Sequence, residues 1–192
     1  MFCLTNDLFN RHIAQFHDLL VKHLQFVGNE HFAIKITNNF QRTFPPNQSK
    51  TLSYISLSVV DLKDIIVVNI TFTVSFSDIY EVPVVHFRVS DETGSLTFDL
   101  DKLDSYIKLI GKDYTKDKVD LLLVNHPLLN ETWWSIHPCY GQEVVAQFLE
   151  NTVEPSDSEG AKSIKYMSTW FGVYGIGAVF DSLSFRLVTV TI

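Results

Sequence analysis

The chain has only two cysteines in 192 residues, Cys3 and Cys139. So few exclude a disulfide framework, and free thiols suit a reducing compartment, so a cytoplasmic setting is expected. Basic residues are also scarce, 15 Lys and Arg against 22 Asp and Glu, which gives a formal net charge of −7. No basic stripe interleaved with aromatics appears, which argues against a nucleic-acid partner. Long apolar runs are missing too. The longest late one, Trp170 to Phe180, has 11 residues and three of them are glycines. That is short of the ~20 needed to span a bilayer, so the run reads as a buried helix and no transmembrane segment is expected. The N-terminus lacks the charged leader, apolar stretch and small-residue cleavage site of a secretory signal.

What is abundant is apolar and aromatic: 46% of the residues are hydrophobic, with fifteen Phe, seven Tyr and three Trp. Hydrophobic cores divide only above about 250 residues, so residues 1–192 are expected to form one domain. Phe9, Ile13, Phe16, Leu20, Leu24 and Val27 recur at helical spacing, with Thr5 or Asn6 placed to cap the first turn. Four strand-like runs follow: Phe32 to Ile36, Leu52 to Val60, Ile66 to Phe76 and Pro83 to Ser90. Their period of two and short links predict a four-stranded antiparallel meander covered on one face. Pro83 restricts the fourth run to an edge or to a strand start. Beyond the turn Asp91-Glu92-Thr93-Gly94, helices are expected over Leu100 to Ile110, Gln142 to Glu150 and Ser163 to Phe180. A mobile loop is expected at about 152–162 and a β-like tail over Phe185 to Ile192. The order is that of an α+β domain with helices on one face of an antiparallel sheet.

Of the two thiols, Cys139 has the more suggestive surroundings. It closes the run Trp133-Trp134-Ser135-Ile136-His137-Pro138-Cys139. A free thiol with a pKa near ~8.5 is slightly ionised at neutral pH, yet it is a strong nucleophile. In an extended segment His137 points to the same side as Cys139 and could assist proton movement, while Pro138 stiffens the backbone between them. Spacing alone leaves a second reading open, in which Cys139 is an inert core thiol and His137 a satisfied loop histidine. That second reading is the commoner outcome for so short a string. His126, His137 and Cys139 lack the second cysteine pair a zinc site would want, so no metal and no cofactor are expected. A papain-like protease fits poorly, because the thiol comes late in a short chain.

Three longer blocks change the balance. The segment His126-Pro127-Leu128-Leu129-Asn130-Glu131-Thr132-Trp133-Trp134-Ser135-Ile136-His137-Pro138-Cys139 resembles the active-site segment of the autophagy ubiquitin-conjugating-enzyme-like proteins. The run Tyr80-Glu81-Val82-Pro83-Val84 is similar to that family's Tyr-x-Val-Pro-Val strand, and Tyr166-Met167-Ser168-Thr169-Trp170 is similar to the start of its C-terminal helix. The three stand in the family's order. The resemblance is strongest to the compact branch that joins autophagy-related protein twelve to autophagy-related protein five. The lipid-conjugating branch carries long insertions for which this chain lacks room.

The resemblance implies a ubiquitin-conjugating-enzyme fold and a transferase. It implies that Cys139 receives the C-terminal glycine of a ubiquitin-like protein from an activating enzyme as a thioester, then yields it to a target lysine. Recruitment to the pre-autophagosomal structure would accompany that role. Ordinary ubiquitin-conjugating enzymes stabilise the oxyanion with an asparagine in a His-Pro-Asn string. Here the string is His126-Pro127-Leu128, so that donor is missing. Tyr80 and His137 are the candidate replacements, with Asn125 and Asn130 behind them. Trp133 and Trp134 are expected to pack, and His86 to face a neighbouring strand. Asp61, Asp64, Asp78, Glu81, Asp91 and Glu92 either orient an incoming lysine or form a solvated face. The edge of the Pro83 strand is a candidate for pairing with a strand of the target. A catalytically silent variant acting as an adaptor is the alternative in another class, and the intact His-Pro-Cys string counts against it.

Overall fold

The computed structural model describes residues 2–23, 32–45, 49–62, 66–109, 121–138, 145, 147, 149, 154 and 156–180. Its centre is one open antiparallel sheet of six strands: β1 (Phe32–Phe44), β2 (Lys50–Asp61), β3 (Ile66–Ser77), β4 (Val82–Ser90), β5 (Leu121–Asn125) and β6 (Thr132–Ile136), in the order β1-β2-β3-β4-β6-β5. Among the described residues, helices with both ends defined are α1 (Asn6–His23), α2 (Leu100–Leu109) and α3 (Glu159–Tyr174), the last followed by a 3-10 turn at Ile176–Ala178. The α+β architecture is as expected, but the four-stranded meander is extended by the β5–β6 hairpin into six strands.

Alternation assigns the two faces of the sheet. Ile55, Leu57 and Val59 of β2, Val68 to Phe76 at every second residue of β3, Val85, Phe87 and Val89 of β4, and Trp134 and Ile136 of β6 share one core cluster with the helices. α1 contributes Leu8, Phe9, Ile13, Phe16 and Leu20, spaced as one helical stripe. Each such buried side chain stabilises the fold by roughly 1.5–3 kcal/mol, so this stripe outweighs the weak intrinsic helix preference of the segment. Thr5 is the cap: its hydroxyl accepts from the Leu8 amide at 3.3 Å. α3 lies in the same layer, with Phe171 edge-on to Phe16 at 6.0 Å. Val145, Gln147 and Leu149 are helical, and Val145 and Leu149 join the core, within the expected Gln142 to Glu150 helix.

Two boundaries differ from expectation. α3 starts at Glu159, not Ser163, because the Ser158 hydroxyl accepts from the Ala161 amide and caps a helix inside a loop-like composition. It ends at Tyr174, not Phe180, where Gly175 returns its amide to the Phe171 carbonyl. A Cβ on Gly175 would stand 2.2 Å from that same carbonyl oxygen, so the close approach demands glycine. The Tyr166 to Trp170 block thus lies in the middle of the helix. The expected β-like tail over Phe185 to Ile192 and Cys139 itself lie outside the described residues. None of the described helices is long and apolar enough to cross a membrane.

Candidate active site

The β4–β6 pairing builds the site. These strands run antiparallel, with His86 opposite Ser135 and Phe87 opposite Trp134. The start of β4 therefore lies beside the exit of β6. The β3–β4 turn just before β4 carries Tyr80, and the residue just after β6 is His137. Their side chains meet: Tyr80 Oη is 3.4 Å from His137 Nε2, and the rings stand edge to face with centroids 5.4 Å apart. Two of the sequence-derived candidates, 57 residues apart, are thus brought together. Tyr80 is 43% exposed, so the residue stands at the protein surface.

Of the two positions expected for Pro83, an edge or a strand start, the structure has the strand start, so the candidate edge for pairing with a target strand is corrected. β4 is interior, since β6 pairs with it at His86 and Phe87. The sheet's outer strands are β1 and β5. Pro83 is tolerated because it is the second residue of β4, opposite Phe76 and ahead of the pairing with β6.

Asn125 and Asn130 belong elsewhere. Asn125 pairs with Thr132, at the opposite end of β6 from His137. Five residue steps separate Thr132 from His137, roughly 17 Å along an extended chain. The Asn125 amide donates to the Asn130 side-chain oxygen at 2.9 Å, and Asn130 adopts a φ of 56° in the hairpin turn. Both side chains are occupied in closing that turn.

His126 serves the same turn. Its Nδ1 accepts from the Leu128 and Leu129 amides, each at 3.1 Å, and its Nε2 lies 2.9 Å from the Thr73 hydroxyl. An Nδ1 that accepts twice carries no proton, so Nε2 is the protonated nitrogen and donates to Thr73 Oγ1. The ring is buried against His86, centroid to centroid 4.4 Å, and against Trp133. Burial, with His86 and Arg88 nearby, holds its pKa down to about 3, and burial lowers His86 to about 4. Both rings are neutral at physiological pH. The first His-Pro pair is a structural pin, not a proton donor.

The two tryptophans face opposite ways, as neighbours on a strand must. Trp134 enters the helix-side core and its indole donates to the Thr97 carbonyl at 3.1 Å. Trp133 lies on the other face, beneath Arg88, whose guanidinium carbon sits 4.6 Å from the ring centroid. Arg88 also donates to the Thr132 carbonyl and to Glu131, each at 2.7 Å. A recess of about 290 Å³ opens there, lined by Tyr54, Thr71, Arg88, Glu131 and Trp133 among others. It contains neither Tyr80 nor His137, so it is separate from the Tyr80–His137 pair.

Among the described residues, no group of three or more His, Cys, Asp or Glu side chains is placed to hold a metal ion. Of the acidic residues near the meander, Asp61 is buried at the end of β2, and Asp78 is engaged by Asn6 and Lys50. Nothing in the sequence pattern flagged Asp78 as a structural anchor.

The family model described as autophagocytosis associated protein, active-site domain, matches residues 19–180. A curated relative from Candida albicans, "Ubiquitin-like-conjugating enzyme ATG10", is 30% identical over 183 residues, covering 95% of this chain and 92% of the relative. A relative of the same name from Pichia angusta is 28% identical over 116 residues, 56% of this chain and 70% of its own length. The matched stretch contains β4, β6, the Tyr80–His137 pair and α3. The chain therefore belongs to the autophagocytosis-associated active-site family, the ubiquitin-like-conjugating enzymes.

Proposed function

We propose that Cys139 is the thiol on which this conjugating enzyme works, with Tyr80 and His137 supporting the transfer. The observation that carries the reading is the Tyr80–His137 contact, held at the exit of β6 two residues before Cys139. Two residues of chain span at most about 7 Å from Cα to Cα, and this short connection supports the reading. The family match over 19–180 supports reading residues 1–192 as one conjugating-enzyme domain.

In the first step the Cys139 thiolate attacks the thioester carbonyl held by the activating enzyme, and the donor thiolate leaves. One thioester replaces another, so the step is nearly balanced in energy. In the second step a neutral lysine amine attacks the Cys139 thioester. The carbonyl oxygen becomes an oxyanion, the C–N bond forms, the C–S bond breaks and the amine loses a proton. Tyr80 donates its hydroxyl hydrogen bond to that oxyanion, and His137 serves as the base for the departing proton. Amide formation is downhill, so the protein's task is to position groups and stabilise charge.

The ubiquitin-like protein is autophagy-related protein twelve and the target is autophagy-related protein five. The names of the two relatives support the conjugating chemistry. The protein works in the cytoplasm and is recruited to the pre-autophagosomal structure.

The test is direct. With activating enzyme, ATP and the ubiquitin-like protein, wild type should form an adduct that reductant releases. Cys139→Ser should form one that resists reductant, and Cys139→Ala none. An adduct that persists in Cys139→Ala would refute the assignment.

A further inference from the structure

The β3–β4 turn that carries Tyr80 has little apolar packing to hold it. Ile79 is 87% exposed and Tyr80 is 43% exposed. Glu81 sits at a φ of 54°, a left-handed conformation that a non-glycine residue avoids unless surrounding contacts impose it. Within the turn, the Tyr80 amide reaches the Ser77 hydroxyl at 3.3 Å. Asp78 adds two ties to other elements. Its Oδ1 accepts from the Asn6 side-chain amide at 2.7 Å, at the first residue of α1, and its Oδ2 pairs with Lys50 at the first residue of β2. α1 and β2 are tied to each other at the same place, because the Asn10 side-chain oxygen accepts from the Thr51 amide at 2.6 Å. One carboxylate thus fastens the Tyr80 turn to two elements that are themselves fastened together.

We propose that Asp78 is a positioning residue for Tyr80, holding its hydroxyl against His137 for the discharge step. The inference rests on the role proposed for Tyr80 and adds that the start of α1, through Asn6, sets where that hydroxyl stands. Misplacing a catalytic group by ~1 Å can cost up to about 10²-fold in rate. Asp78→Ala should therefore charge with the ubiquitin-like protein as wild type does, and should discharge to lysine about as slowly as Tyr80→Phe. The two effects should not multiply in the double variant. Asn6→Ala should reproduce part of the loss. Asp78→Asn keeps an acceptor for Asn6 and should recover part of the rate lost in Asp78→Ala.

A second readout separates position from chemistry. The Tyr80 ring lies edge-on to His137, so the His137 ring resonances in an NMR spectrum report its presence. Those resonances should move in Asp78→Ala toward their values in Tyr80→Ala. If they stay at the wild-type values, or if the discharge defects of Asp78→Ala and Tyr80→Phe multiply, Asp78 does not position Tyr80. If they move while Asp78→Ala and Tyr80→Phe both discharge at the wild-type rate, the anchoring is real but Tyr80 has no part in transfer, and the proposal falls with that reading.

Discussion

Tyr80 Oη and His137 Nε2 lie 3.4 Å apart across the junction of β4 and β6, although one residue sits in the β3–β4 turn and the other just past the end of β6. The contact is made by backbone pairing, since each residue sits just outside a strand whose register is fixed by its neighbours.

Tyr80→Phe keeps the ring and removes the hydroxyl. Thioester formation on Cys139 should be unchanged, while single-turnover discharge to a lysine acceptor should slow by about 10²-fold, the lower end of the loss for one oxyanion donor. Equal discharge rates for Tyr80→Phe and wild type would rule out a role for the hydroxyl.

His126→Ala should damage the fold more than the chemistry. It strips the acceptor from two backbone amides, orphans the Thr73 hydroxyl and opens a cavity beside Trp133. Urea unfolding should show a loss of about 2–4 kcal/mol. Whatever variant remains folded should still charge.

The buried histidines make stability depend on pH with a definite sign. His86 and His126 have folded-state pKa values of about 4 and about 3, below the ordinary 6.5. Between those values the unfolded chain binds protons that the folded chain does not. Their contribution is therefore fully present above pH ~6.5 and is lost as the pH falls toward 4. The slope should approach about 1.4 kcal/mol per pH unit for each ring. In His86→Leu the acid-side slope should drop by about half, measured by denaturant titration at several pH values.

Arg88→Lys tests whether shape or charge matters on the open face. Lysine keeps the charge but cannot stack on Trp133 while reaching both Thr132 and Glu131. A stability loss of about 1–2 kcal/mol is expected. Glu131→Ala should cost less, about 1 kcal/mol or below, because that carboxylate is more than half exposed. Reversal of this order would mean that the ion pair, not the stacking, holds Arg88.

Gly175→Ala places a methyl against the Phe171 carbonyl and ring. The end of α3 would have to shift, at a cost of about 1–3 kcal/mol in thermal or chemical unfolding. A neutral result would show that α3 can be lengthened past Tyr174.

Strand alternation made β2, β3 and β4 readable, since each has one face in the core. The β5–β6 hairpin was not readable in this way. Trp133, Trp134, Ser135 and Ile136 are all buried, so β6 shows no period of two, and β5 is a plain apolar run. β1 runs on to Phe44 beyond the expected Ile36, past a bulge at Thr37 and along a polar, exposed edge that also lacks the period. The candidate residues Tyr80 and His137 were legible one at a time, through the family's motifs. Their contact depends on which strands pair, and no local pattern carries that. His126 looked like a relic of a catalytic string, and only its three partners in space reveal a turn-closing ring.

The adjacent tryptophans of β6 have a mechanical consequence. One indole is set into the helix-side core and its neighbour is clamped under Arg88, so the strand is riveted through the sheet. A push toward either face meets a large side chain already seated on the opposite side. The segment leading to Cys139 thus follows a strand anchored on both of its faces. Changes beyond Pro138 can alter how far the thiol reaches, but its point of departure is set by the sheet.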